Sequence, residues 1–253
     1  MKDPKLEAKK IIDRWQLLQT DNQYPIDCIK IAESLGLQVI GYELNDDFLG
    51  LLKIHKGKPI LLYNKKIKED GRKNFTIAHE IGHYVLHSEK LIENKELRKN
   101  ILYNNELHDK ETEKEADLFA AHLLMPETDV IAQIKNKPID FNLIKSLSTR
   151  YNTSITATTC HVVSMSITPL AAILVTSENK TKWYYKNQHF NKLLKLKRNE
   201  QHEYPKEYTD YQLITDSELW IKNEYSNDWI LKYSCLEMEE YSQKLFILEG
   251  NRK

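Results

Sequence analysis

Cysteine is scarce in this chain: Cys28, Cys160 and Cys235 are scattered through 253 residues with no metal or redox spacing between them. That excludes a disulfide scaffold and a thiolate-built metal site, fits a reducing compartment, and makes the cytoplasm the expected location. Net charge is missing too, because 37 Lys and Arg balance 37 Asp and Glu. No overall field therefore draws the chain to nucleic acid or to an anionic membrane. No apolar run approaches the roughly 20 residues of a membrane span, and the opening Met1-Lys2-Asp3-Pro4-Lys5-Leu6-Glu7 is unlike a signal peptide. The length suits one domain of ordinary core plus a smaller one.

Against this plain background stands His79-Glu80-Ile81-Gly82-His83. On a helix the two histidines leave one face about a turn apart, while Glu80 sits about 100° round from His79. It can reach a metal-activated water without ligating the metal. A His-Glu-x-x-His string arises by chance in roughly 3% of shuffled chains of this composition, so its neighbours decide its meaning. Ile77, Ala78, Ile81 and Val85 cluster opposite His79, and Gly82 and Leu86 fill most of the remaining arc. Residues 75–87 therefore read as a buried helix with one polar strip. Buried imidazoles and a carboxylate cost several kcal/mol unless they are paired or bind a metal. The competing reading is a solvated His/Glu face on an ordinary helix.

A second helical stretch carries Glu113-Lys114-Glu115-Ala116-Asp117. Asp117, Ala120 and Leu124 fall within about 40° of Glu113, whereas Glu111, Glu115 and His122 point roughly 160° to 200° away. Glu113 thus borders the core-facing stripe and is the expected third ligand; Glu115 is expected to face solvent. Asp117 is placed to accept a hydrogen bond from the second nitrogen of a ligating histidine. Alternatively, Glu113 and Asp117 are only acidic residues favoured near a helix start. His87 repeats the four-residue spacing, but a straight helix carries it about 12 Å from His79, too far for one zinc ion with bonds of about 2.0–2.1 Å. It is expected at the end of the helix, packing or lending a hydrogen bond. No glycine follows His83 at the spacing of the extended three-histidine motif.

The block from Arg72 to His87, with Phe75-Thr76-Ile77-Ala78 before the histidine pair, and the block from Glu113 to Pro126 together resemble the ImmA/IrrE metallopeptidases. Pro25-Ile26-Asp27 opening a short helix, and Pro59–Asn64 as the strand before the metal helix, extend the likeness over roughly residues 1–165. The resemblance implies one zinc ion held by His79, His83 and Glu113, with Glu80 as general base. Asp117 stands where that family often has Asn. It further implies cleavage of a specific intracellular regulatory protein, typically a DNA-binding repressor in a mobile element or stress circuit. Two alternatives remain: a zinc-stabilised sensor or binding protein that sequesters a regulator uncut, and a toxin or anti-repressor acting through its C-terminal part. Tyr84, Tyr103, His108 and His122 are available as a second oxyanion donor, with no basis for choosing among them except that His122 points away.

The expected fold is α+β: a mainly helical zincin-like domain over residues 1–166 with a small sheet, then a small β-rich domain over 167–253. Leu6, Ile11, Ile12, Trp15 and Leu18 mark a helix; Asp27 caps another that Gly36 ends. Val39–Tyr42, Phe48–Ile54 and Pro59–Tyr63 read as strands, the last a natural edge for an extended peptide. Residues 141–150 and 154–165 form a helix pair, bent at Asn152 with Ser154 as N-cap. Its second member has no Arg or Lys, so it packs rather than reads DNA, and no direct nucleic-acid or membrane partner is expected. Leu170–Val175, Trp183–Tyr185, Trp229–Tyr233 and Lys244–Leu248 read as strands. Lys192, Lys195, Lys197 and Arg198 read as a solvated face.

Overall fold

The structure is a computed structural model that describes residues 2–18, 24–43, 49–55, 57–93, 110–190 and 194–253. Phe48, Tyr103, His108 and Lys192, named above, lie outside the described residues. The chain forms two compact units, one of Met1–Pro126 with Arg150–Ser154, the other of Glu127–Thr149 with Ile155–Lys253. It is an α+β protein, as its sequence pattern predicts.

In the first unit, helix α1 (Pro4–Leu18) buries Ala8 and Ile12. Helix α2 (Cys28–Ser34) starts where the Asp27 carboxylate accepts the Lys30 amide at 3.1 Å. It stops where Gly36 takes φ +83°, a left-handed turn that costs glycine nothing. Three strands follow: β1 (Gln38–Tyr42), β2 (Gly50–His55) and β3 (Lys58–Asn64). Their order is β1-β3-β2, with β3 parallel to β1 and antiparallel to β2. The expectation that β3 offers an edge to a peptide is therefore corrected. Both of its sides are hydrogen-bonded to neighbours; among the described residues, the strand packed on the histidine-bearing helix that lies at an edge of this sheet is β2.

Helix α3 (Asp70–Glu93) packs against β2 and β3 and against α4 (Lys110–Leu124), which also lies along α1. Ile77, Ala78 and Ile81 on α3 and Ala116, Phe119, Ala120 and Leu123 on α4 are fully or almost fully buried. Helix α3 runs on past residue 87, so His87 lies within it and not at its end.

The second unit holds α5 (Glu127–Ile134), most of α6 (Phe141–Tyr151) and α7 (Ile155–Met165). With them is an antiparallel sheet of β4 (Leu170–Thr176), β5 (Thr181–Lys186), β6 (Leu213–Thr215), β7 (Trp229–Met238) and β8 (Gln243–Arg252), ordered β5-β4-β8-β7-β6. The expected strand pairs are there; β6 is additional, too short to announce itself. Asn152 makes the bend before α7 at φ 50°. Helix α7 packs on α5, β4 and β5, burying Thr158, Thr159, His161, Val162 and Val163, as the packing reading of this helix requires. On the opposite sheet face Ile173, Trp220, Tyr233 and Phe246 share a core. With both faces covered, β4 is an unbroken apolar run, buried from Leu170 to Val175. Leu194 and Leu196 also enter that core while Lys195, Lys197 and Arg198 stay exposed, so the described part of the basic cluster is solvated.

Candidate metal centre

The close approach of α3 and α4 begins at Gly82. A Cβ there would meet Phe119 Cδ1 at 3.0 Å and the Ala116 Cα and carbonyl oxygen at 3.2 Å. A bare position on α3 facing an alanine on α4 lets the two backbones approach, and Glu113, one turn before Ala116, is brought to the histidines. His79 Nε2 lies 3.3 Å from Glu113 Oε2, and His83 Nε2 lies 3.3 Å from Glu113 Oε1. The two Nε2 atoms are 2.9 Å apart. Behind them, His79 Nδ1 donates to Asp117 Oδ1 at 2.9 Å, which leaves its Nε2 lone pair facing His83 and Glu113.

These donors fit a zinc ion. Ligand atoms on a tetrahedral ion with bonds of about 2.0–2.1 Å lie about 3.3 Å from one another, and the separations here are 2.9 to 3.3 Å. Two imidazole nitrogens and one carboxylate form a donor set of catalytic sites, which keep a further position free for water or substrate. Among the described residues, His79, His83 and Glu113 are the grouping able to hold such an ion. Glu113 is 44% exposed along its side chain while His83 is 3% exposed, so the cluster is walled on the α3 side and open on the glutamate side.

Glu80 is 9% exposed and is not part of that grouping. Burial raises its carboxyl to about 7, helped by the Glu113 charge and opposed by His79 and the Leu52 amide, which donates to it from β2. Loss of water around His79 would make it less basic, but the Asp117 hydrogen bond and the carboxylates of Glu80, Asp117 and Glu113 outweigh this and raise it. The pocket as a whole is electronegative and favours a cation.

Glu115 departs from expectation. It is 15% exposed, with Oε2 3.4 Å from Nε2 of the buried His87. The helix wheel left this side of α4 to solvent, whereas the Glu115 carboxylate reaches His87 on α3. His122 is also buried, at 4% exposure. Sequence reasoning missed Gly50, Thr76 and the Leu52 amide, all beside Glu80; a glycine inside an apolar strand run was the available signal.

Comparison with known proteins places the chain in a family. The sequence profile of the peptidase M78 family, described as the IrrE N-terminal-like domain, matches residues 32–159, just over half the chain. No curated protein matches. Among solved structures, a Mycobacterium tuberculosis transcriptional regulator is similar at 13% identity with TM-score 0.54, covering 100% of this chain and 77% of that one; at that identity the likeness is one of fold. With its histidine pair and glutamate helix inside the matched span, the chain belongs to the IrrE N-terminal-like family of M78 peptidases, a metallopeptidase type.

Proposed function

We propose that this protein is a zinc-dependent endopeptidase that hydrolyses a peptide bond in a specific regulatory protein, a DNA-binding repressor by preference. The observation that supports it most directly is the pairing of a three-donor cluster with a buried carboxylate left outside it. A site meant only to hold the fold together closes itself with a fourth ligand and needs no base. His79, His83 and Glu113 would hold the ion, and Asp117 fixes the His79 ring so that Nε2 points inward. When bound, zinc supplies Lewis acidity toward the scissile carbonyl and acidifies the attacking water.

Glu80 carries the proton. Burial pushes its carboxyl up to about 7 without a metal; in the reaction it accepts a proton from the attacking water and passes it to the leaving amine. A cation held by the neighbouring ligands lowers that value, which keeps Glu80 ionised and ready to accept. An extended substrate that reaches Glu80 passes beside β2, whose Leu52 amide already holds the carboxylate.

Co-expression with the regulators encoded beside it, wild type against Glu80→Gln, tests the reading. A truncated regulator with the wild type and an intact one with the variant is expected, with zinc content equal in both. The structural neighbour named a transcriptional regulator favours one other reading, a zinc-stabilised protein that sequesters its partner uncut. That reading requires Glu80→Gln to keep full function, which would sink the peptidase.

A further inference from the structure

Gly50 is an odd residue for its place. It opens β2, and its backbone does not take the left-handed conformation that sets Gly36 and Gly57 apart. Any residue could adopt its backbone; what is excluded is a side chain. A Cβ there would meet Thr76 Cγ2 at 2.6 Å and Glu80 Cγ and Oε1 at 3.0 Å each. Two of those three atoms belong to the side chain assigned above to move the proton.

The strand geometry explains why Glu80 lies there. The Asn64 amide donates to the Leu49 carbonyl at 2.8 Å, so odd-numbered residues of this strand turn their backbone polar groups toward β3. Even-numbered ones turn outward by alternation. Leu52 is even, and its amide donates to the Glu80 carboxylate. The space a Cβ at position 50 would fill lies against the Cγ and Oε1 of that same carboxylate side chain.

We infer that Gly50 is a positioning residue for Glu80: its missing side chain and the outward Leu52 amide together form the seat that holds the carboxylate beside the metal cluster. This rests on the reading of Glu80 as proton carrier. The two neighbours of Gly50 differ in freedom. Thr76 is buried, β-branched and held by its hydroxyl, which donates to the Arg72 carbonyl at 3.0 Å, so its 2.6 Å contact is relieved only by a shift of the strand or of Thr76 itself. Glu80, with three rotatable side-chain bonds, answers its own 3.0 Å contacts by swinging away from the seat.

The test is amide hydrogen exchange by NMR on the zinc-loaded full chain, which needs no substrate and so can fail independently of the peptidase reading. Glu80→Ala is expected to speed exchange at Leu52 about tenfold or more, the loss of one hydrogen bond to a charged group. Leu51 and Lys53, turned toward β3, are expected to keep their rates. Gly50→Ala should copy that pattern with zinc retained, and should do so in a Thr76→Ser background where the Cγ2 contact is gone. Retained Leu52 protection in Gly50→Ala, or its restoration by Thr76→Ser, overturns the assignment. If Gly50→Ala does not fold, it is combined with Thr76→Ser alone and with Thr76→Ser plus Glu80→Ala: folding restored only when Glu80 is also removed supports the seat, and any other outcome overturns it.

Discussion

Asp117 and Glu113 act on the same histidine from opposite sides of its ring. Glu113 faces Nε2, where it would share a bound ion, while Asp117 accepts the Nδ1–H hydrogen bond. The two should therefore differ in degree. Glu113→Ala removes one of three ligands and is expected to abolish stoichiometric zinc, whereas Asp117→Ala should weaken affinity about 10- to 100-fold. Metal analysis and competition with a chromophoric chelator separate these outcomes, and equal losses would contradict the division of roles. Glu115 makes the contrasting case. Glu115→Gln is expected to keep zinc yet lower stability by about 1–2 kcal/mol, because it weakens the partner of a buried imidazole. Denaturant unfolding measures it; zinc loss in that variant would mean that Glu115 and not Glu113 completes the cluster. At this scale the gathering of His79, His83 and Glu113 was readable, since spacing on a helix dictates which side chains share a face. The environment of Glu115 was not, because a wheel reports direction and says nothing of what another helix lays on that direction.

Helices α3 and α4 form the site as a pair, and their separation is set where Gly82 meets Ala116 and Phe119. Gly82→Ala tests whether that separation governs the metal. Overpacking costs about 1–3 kcal/mol, and the better helix propensity of alanine offsets about 1 kcal/mol of it. The metal-free protein should thus lose little stability, while zinc affinity falls because Glu113 is pushed from the imidazoles. Unchanged affinity would show that α4 tolerates a wider spacing. The elements themselves were legible: the two site helices from periodicity, the strands from β-rich runs between turn residues. Their order in the sheet was not. Placing β3 between β1 and β2 requires a parallel pair with β1, a long-range choice to which no local residue testifies. The supposed peptide edge consequently fell on the wrong strand, and the seat of Glu80 on β2 went unseen.

At the scale of the whole chain, the ligands all belong to one compact unit, while the aromatic core of Trp220, Tyr233 and Phe246 belongs to the other. A metal that binds the folded but not the unfolded state stabilises what it cross-links. A zinc ion on His79, His83 and Glu113 would join α3 to α4. Zinc at a hundred times its dissociation constant adds about 2.7 kcal/mol to that unit, or roughly a hundredfold slower exchange for amides that open with it. Peptide-level hydrogen exchange with and without chelator should therefore show protection gained across α3 and α4. Peptides from β7 and β8, whose core contains none of the ligands, should keep their rates. Equal protection in both sets would mean that the chain unfolds as a single cooperative body, so that metal loading is felt by the C-terminal sheet as strongly as by the helices that bind it.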